Sequence, residues 1–393
     1  MKMKLWNKGY TLDEIVEDYT VGRDYILDQR LVEYDCRASI THAEMLHEID
    51  ILTENEKNQL IKELKNIISL HKNGDFKIEK SEEDCHTAIE NHLTKKLGDT
   101  GKKIHTARSR NDQVLTALRL YYRDEIKNIE ELINENIKSI KKLIDKYGDI
   151  EFPGYTHTRK AMPSSIAMWA GGLRDSMRDN LDYLKFYAKF IDQSPLGTAA
   201  GYGAPLNIKR DYTAGNLGFE RVQENPVYCQ NSRGKFESGL ASIFKLVMYD
   251  LNKYASDLIL FSMPGCQYFS LPDKFLTGSS IMPHKKNPDV LELMRAKYHI
   301  VVSLENRISS MMANLITGYH RDFQLFKEAI FEVFDITHAS LRISANIFDS
   351  LKVNKDKCEE ALTDELYATE KAYKLVKQGV PFREAYRQIA SQY

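Results

Sequence analysis

Between residues 115 and 144 an apolar side chain falls at every third or fourth position: Leu115, Leu118, Tyr122, Ile126, Ile129, Ile133, Ile137, Ile140 and Ile144. No glycine or proline interrupts the run before Gly148, and the first proline of the whole chain is Pro153. The spacing predicts one helix of about 35 residues, roughly three times the usual length. A stripe that long on one helix face is covered only by other helices of similar length.

Two more stripes supply such partners. Ile166, Trp169, Leu173, Met177, Leu181, Leu184, Ala188 and Ile191 repeat the period after Pro163, which is tolerated near a helix start. Phe236, Leu240, Ile243, Val247, Leu251, Tyr254, Leu258 and Phe261 repeat it again before Pro264. Further helical stretches are expected over 289–312 and 325–351, the first opening just after Asn287-Pro288-Asp289. Strand signals are weak, and no internal repeat or low-complexity segment is found. The expected architecture is all-α, with an elongated central long-helix bundle at 111–352. A helical N-terminal domain, 1–110, and a short helical C-terminal domain, 353–393, flank it.

Charge narrows the function. Lys plus Arg is 55 against 56 for Asp plus Glu, a net charge of −1 that gives no global pull toward nucleic acid or an anionic membrane. Cys36, Cys85, Cys229, Cys266 and Cys358 are odd in number, widely spaced and lack a C-x-x-C pair. They read as reduced thiols of a cytoplasmic protein rather than a disulfide framework or zinc site. The N-terminal stretch is too polar for a secretory signal, and no run of about 18 apolar residues is present to span a membrane.

Four stretches outside the stripes carry the chemistry-capable residues. Gly278-Ser279-Ser280-Ile281-Met282-Pro283-His284-Lys285-Lys286-Asn287-Pro288 packs hydroxyls, ammonium groups and an amide behind a glycine, a set able to bring a base and anion donors to a carboxylate. Read by triplets it is an ordinary polar connection. Gly154-Tyr155-Thr156-His157-Thr158-Arg159 places a histidine between threonines, suited to proton handling, though a lone histidine is more often structural. Arg108-Ser109-Arg110-Asn111-Asp112 precedes the longest helix, where amides and arginines favour anions; Asn111 or Asp112 acting as a plain cap is the simpler alternative. In Tyr319-His320-Arg321-Asp322-Phe323-Gln324-Leu325-Phe326-Lys327, a helix would put Gln324 and Lys327 on one face; the simpler alternative is a solvated face.

Together these stretches resemble the fumarase/aspartase superfamily and, within it, the argininosuccinate lyase family. The loop from Gly278 to Pro288 matches the superfamily pattern G-S-S-x-M-P-x-K-x-N-P at every fixed position. Ser109-Arg110-Asn111-Asp112-Gln113 is similar to the family's S-R-N-D-Q, Gly154-Tyr155-Thr156-His157 to its G-Y-T-H, and Glu83-Asp84-Cys85-His86-Thr87 to its E-D-x-H-T. Tyr34-Asp35 with Ser39, Ile40 and His42 resembles its N-terminal substrate loop, and Gly379 to Ala385 its C-terminal domain. The likeness spans residues 30 to 388.

The resemblance implies a β-elimination that splits argininosuccinate into arginine and fumarate. Ser279 is then the base, Lys285 and Asn287 hold the developing dianion, and His157 and Thr156 serve the leaving group. Ser39, His86, Ser109, Arg110, Asn111, Thr156, Tyr319, Gln324 and Lys327 are the implied substrate-binding residues, with Tyr319, Gln324 and Lys327 at the family's spacing for gripping the larger, arginine half of the substrate. No metal or other cofactor is implied, and the chain lacks both G-x-G-x-x-G and the P-loop pattern. The superfamily's homotetramer, with sites shared between subunits and no nucleic-acid or membrane partner, is the expected assembly.

Three departures stand out. Arg159 occupies the place of a usual Gln, His284 that of a common Gln, and the chain stops soon after Gly379–Ala385, so an abbreviated C-terminal domain is expected. A related lyase for another N-substituted aspartate and a non-catalytic, crystallin-like homologue are the competing readings.

Overall fold

The computed structural model describes residues 13–393; the polar N-terminal stretch read above lies almost wholly outside them. Five long helices dominate: α1 (Arg110–Tyr147), α2 (Ile166–Ile191), α3 (Lys235–Ser262), α4 (Asp289–Met311) and α5 (Phe326–Ser350). They coincide with the five expected stretches, and the protein is an all-α helical bundle.

Burial follows the stripes. Seven of the nine stripe residues of α1 are buried, with Ile137 and Ile144 half-buried. The start of α1 is set by reciprocal capping. The Ser109 Oγ accepts from the Asn111 amide at 3.3 Å, and Asp112 accepts from the Ser109 amide at 2.9 Å. The other Asp112 oxygen takes the amides of Gly197 and Ala199 at 3.0 and 2.9 Å, pinning the 195–199 turn to the helix start. Thr53 caps Glu54–Lys72 through a capping box with Glu56.

The chain divides into two compact units. The first comprises the described residues up to Asn128 with Leu184–Ser242 and Leu304–Val333. Its core includes Ala38, Leu120, Leu196, Leu217 and Phe219. Within it, Arg119 is buried yet satisfied, donating to the Gln193 carbonyl, the Gln223 amide oxygen and the Ser232 hydroxyl at 2.7–2.9 Å.

The second unit comprises Ile129–Tyr183, Ile243–Ser303 and Phe334–Tyr393. Phe244 of α3 meets Phe334 of α5 at 5.1 Å between ring centroids, and Trp169 of α2 leans on Phe269 at 4.8 Å. Asn136, fully buried on α1, donates at 2.8 Å to its own helix at Leu132 and at 2.9 Å to the Leu341 carbonyl of α5. A hairpin, β1 (Glu151–Thr156) against β2 (Arg159–Ser165), lies in this unit. Pro163 therefore sits in a strand rather than at the α2 start. The stretch escaped the strand reading because its residues mix proline, glycine and charge.

Replacing Asn136 removes a side-chain bond between α1 and α5 that is buried from water at both ends. Asn136→Ala is expected to cost about 1–2 kcal/mol, read as a lower urea midpoint at unchanged slope. An unshifted midpoint would show that the helices are held without it.

Candidate active site

The expected functional residues fall into two groups, one in each unit. In the first unit, His86, Arg110, Asn111, Tyr319, Gln324 and Lys327 line one cavity, together with Asp24, Asp28, Glu83, Asp84 and Arg233. Ser39 and Ser109 do not line it. Ser39 is buried and its Oγ accepts from Arg108 at 2.8 Å, while Ser109 caps α1.

The wall is built from paired charges. Lys327, in the first turn of α5, is 5% exposed, so the solvated-face alternative does not hold. Its ammonium lies 2.5 Å from Asp28 and 3.2 Å from Asp24. Burial would lower the lysine's pKa, but the two carboxylates outweigh it and hold the group firmly charged. Burial pushes the Asp24 carboxyl up to about 6 against the pull of Lys327, with Asp28 and Asp84 adding to the rise.

A second set faces it. Glu83 has a left-handed backbone, φ 67°, and together with Asp84 receives Arg110 at 3.1 and 2.8 Å. Asp84 also caps the helix Cys85–Leu97 through the Thr87 amide at 2.8 Å. His86, next in that helix, reaches Asp35 at 3.2 Å with both side chains buried. Burial alone would depress its pKa, but Asp35, Asp84 and Asp28 overcome that and raise it. Gln324, in the 3-10 turn Arg321–Leu325, donates to the carbonyls of Thr20 and Val21 at 3.0 and 3.2 Å.

Asp28, Cys85 and His86 also present ligand atoms within 4.8 Å of one another. A cation there would have to displace Lys327, and Asp28 already accepts from the Cys85 amide, so this donor set does not fit a resident metal.

The second unit holds the other group. Ser279 and Lys285 lie on the loop spanned by the short ribbon β3 (Thr277–Gly278) and β4 (Lys286–Asn287), whose last residue is Asn287. The Ser279 Oγ accepts from the amides of Ile281 and Met282 at 3.3 and 3.1 Å. Lys286 anchors the ribbon to Asp273 at 2.8 Å, and the loop tip stands in solvent with Ile281 85% exposed. Thr156 ends β1, and His157 and Thr158 form the two-residue hairpin turn, both with positive φ (52° and 58°) and both exposed. Arg159, also exposed, opens β2. No hydrogen bond or ion pair joins the turn to the Ser279 loop among the described residues.

Sequence reasoning passed over Asp24, Asp28 and Arg233. Asp24 and Asp28 were findable in principle: a buried lysine requires carboxylates. Arg233 carries no motif.

Comparison with known proteins follows the same lines. Residues 10–303 match the family described as Lyase. The argininosuccinate lyase of Thermotoga neapolitana is 54% identical over 393 residues, covering all of this chain and 99% of that protein. The argininosuccinate lyases of Phocaeicola vulgatus and Sorangium cellulosum are each 40% identical, with 87% and 91% of their lengths covered. Among solved structures, a variant of EDDS lyase with bound fumarate aligns with a TM-score of 0.81 at 23% identity, covering 98% of this chain and 76% of that one. Class II fumarase from Schistosoma mansoni aligns at 0.79 and 16% identity, covering 95% and 91%. Both share the fold. No helix among the described residues is long and apolar enough to cross a membrane.

The raised pKa of His86 has a stability consequence. Its contribution is complete below pH 6.5, the ordinary value, and is lost as pH rises through the higher folded value. Urea midpoints measured from pH 6 to 9 should fall less steeply in His86→Gln than in the parent. Parallel curves would remove the His86–Asp35 pair as the cause.

Proposed function

The chain belongs to the argininosuccinate lyase family, and from that membership we propose how its residues divide the work of splitting argininosuccinate into arginine and fumarate. The observation that carries the reading is the match to an argininosuccinate lyase at 54% identity over the full chain. The departures noted in the sequence leave it intact.

Ser279 takes the proton from the carbon beside a succinyl carboxylate. A serine hydroxyl is a weak base in water, and its alkoxide needs donors. Two backbone amides already point at this oxygen, which supports the assignment. Preorganised donors of this kind are worth about 3–4 kcal/mol each when aimed at developing charge. Lys285 and Asn287 receive the carboxylate, into which the electron pair spreads. The C–N bond then breaks, the electron pair leaves with nitrogen, and that nitrogen takes a proton from the side that His157 and Thr156 serve. Fumarate and arginine result, with atoms and charge balanced and no external reductant or oxidant.

The first-unit cavity binds the substrate through His86, Arg110, Asn111, Tyr319, Gln324 and Lys327, and Ser109 caps the helix that carries Arg110 and Asn111. Gln324 gives up its contacts to Thr20 and Val21 when it turns to the ligand. The assembly is a homotetramer in which several chains contribute to each site. Two features support this: the loop bearing Ser279 is exposed, and α2, α3 and α4 leave Met168, Phe186, Leu246, Tyr249 and Leu293 in solvent on the single chain.

Steady-state release of fumarate, followed near 240 nm, tests the whole reading. Turnover is expected with argininosuccinate and not with adenylosuccinate or aspartate. Activity on another N-substituted aspartate alone would move the specificity, and Arg159→Gln would be the first reversion to assay. Ser279→Ala should lower kcat by orders of magnitude while leaving the melting curve in place; near-normal turnover removes Ser279 as the base. Mixing Ser279→Ala chains with His157→Asn chains should restore part of the activity. Proven mixed oligomers that stay inactive would show that each site comes from one chain.

A further inference from the structure

Of the cations in the wall of the first-unit cavity, Lys327 and Arg110 are paired with carboxylates, and the exposed Arg321 donates to the Thr20 carbonyl. Lys327 has two, and Arg110 has two. Arg233 has none within 4 Å among the described residues, although it is only 5% exposed. Its Nε has no hydrogen-bond partner, and Nη1 makes a single long bond, 3.4 Å, to the Gln230 side chain. The nearest acid on its own segment, Glu237, is engaged with the Gly234 amide at 2.6 Å and the Tyr122 hydroxyl at 3.1 Å.

The side chain is nevertheless held firmly. Its guanidinium lies 4.8 Å from the centre of the Tyr319 ring and 5.4 Å from that of Phe323. Gly234, the next residue, has φ +76°, and a Cβ there would come within 2.4 Å of Met312. Glycine makes this turn at the least cost, and it is the turn that follows Arg233 where its side chain lines the cavity. An uncompensated guanidinium, buried and fixed against two rings, is costly to keep unless an anion completes it.

We propose that Arg233 receives the α-carboxylate on the arginine half of the substrate. This rests on the reading of the protein as an argininosuccinate lyase. Two observations choose this carboxylate over the succinyl pair. Arg233 stacks on Tyr319, one of the residues the family resemblance gives to the arginine half. An amino-acid head group also carries an ammonium on the same carbon, and the same wall presents Asp24, whose charge Arg233 feels. The planar fork suits a bidentate carboxylate as a lysine would not.

The test compares argininosuccinate with its analogue built on agmatine, which lacks only the α-carboxylate. The native protein should prefer argininosuccinate in kcat/KM by roughly 100-fold, the scale of a charged hydrogen-bonded pair. Arg233→Gln should abolish most of that preference by lowering kcat/KM for argininosuccinate while leaving the agmatine analogue nearly unchanged. Arg233→Lys should keep part of it, and it serves in place of the Gln variant if that one does not fold. A preference that ignores Arg233, or a parallel fall on both compounds in a folded variant, overturns the proposal and leaves Arg233 as a packing residue. If the native protein releases fumarate from neither compound, the functional reading falls and takes the proposal with it.

Discussion

A helix of 38 residues with one apolar stripe cannot be solvated and cannot be covered by short elements. This constraint sets the rest of the molecule. α1 needs other long helices to cover its stripe, so the sequence supplies α2 and α3 with matching stripes and adds the long helices α4 and α5, and the connections between them are left to carry polar residues. Connecting segments positioned by a helical scaffold are where reactive groups are generally placed, since the scaffold need not be rebuilt for each. Met168, Phe186, Leu246, Tyr249 and Leu293 on α2, α3 and α4 are apolar surface that the helices of the single chain leave exposed.

The first-unit cavity shows how burial and charge are reconciled. Four acids and four lysine or arginine side chains line it, and two of those cations, Lys327 and Arg110, are paired with acids of the same wall. A buried ammonium flanked by two carboxylates is tolerable where a lone one is not. The wall is thus a charged surface whose Lys327 and Arg110 are already held by carboxylates of the same unit.

The helices were legible because their signal is periodic and local. The Ser279 loop was legible because its side chains fall in one contiguous pattern. The charged wall could not be read because its partners are far apart in sequence. Lys327 meets Asp28 across 299 residues of sequence, and no local pattern records that approach. The hairpin was hidden for a different reason: its turn is made by His157 and Thr158 rather than by the glycine or asparagine that announces such turns. The resemblance assigns Ser39 and Ser109 to the substrate; what only the fold reveals is that the Ser39 hydroxyl accepts from Arg108 and that Ser109 starts α1.

That turn has an evolutionary side. A threonine with φ 58° is branched at the carbon where left-handed backbone is least forgiving, and such a residue costs of order 1–3 kcal/mol. Glycine or asparagine at position 158 would relax it. A variant library at that position, sorted separately for heat resistance and for turnover, therefore has an easy route uphill in the first screen. The second screen would reveal whether the stiffness of the tip is something the chemistry uses.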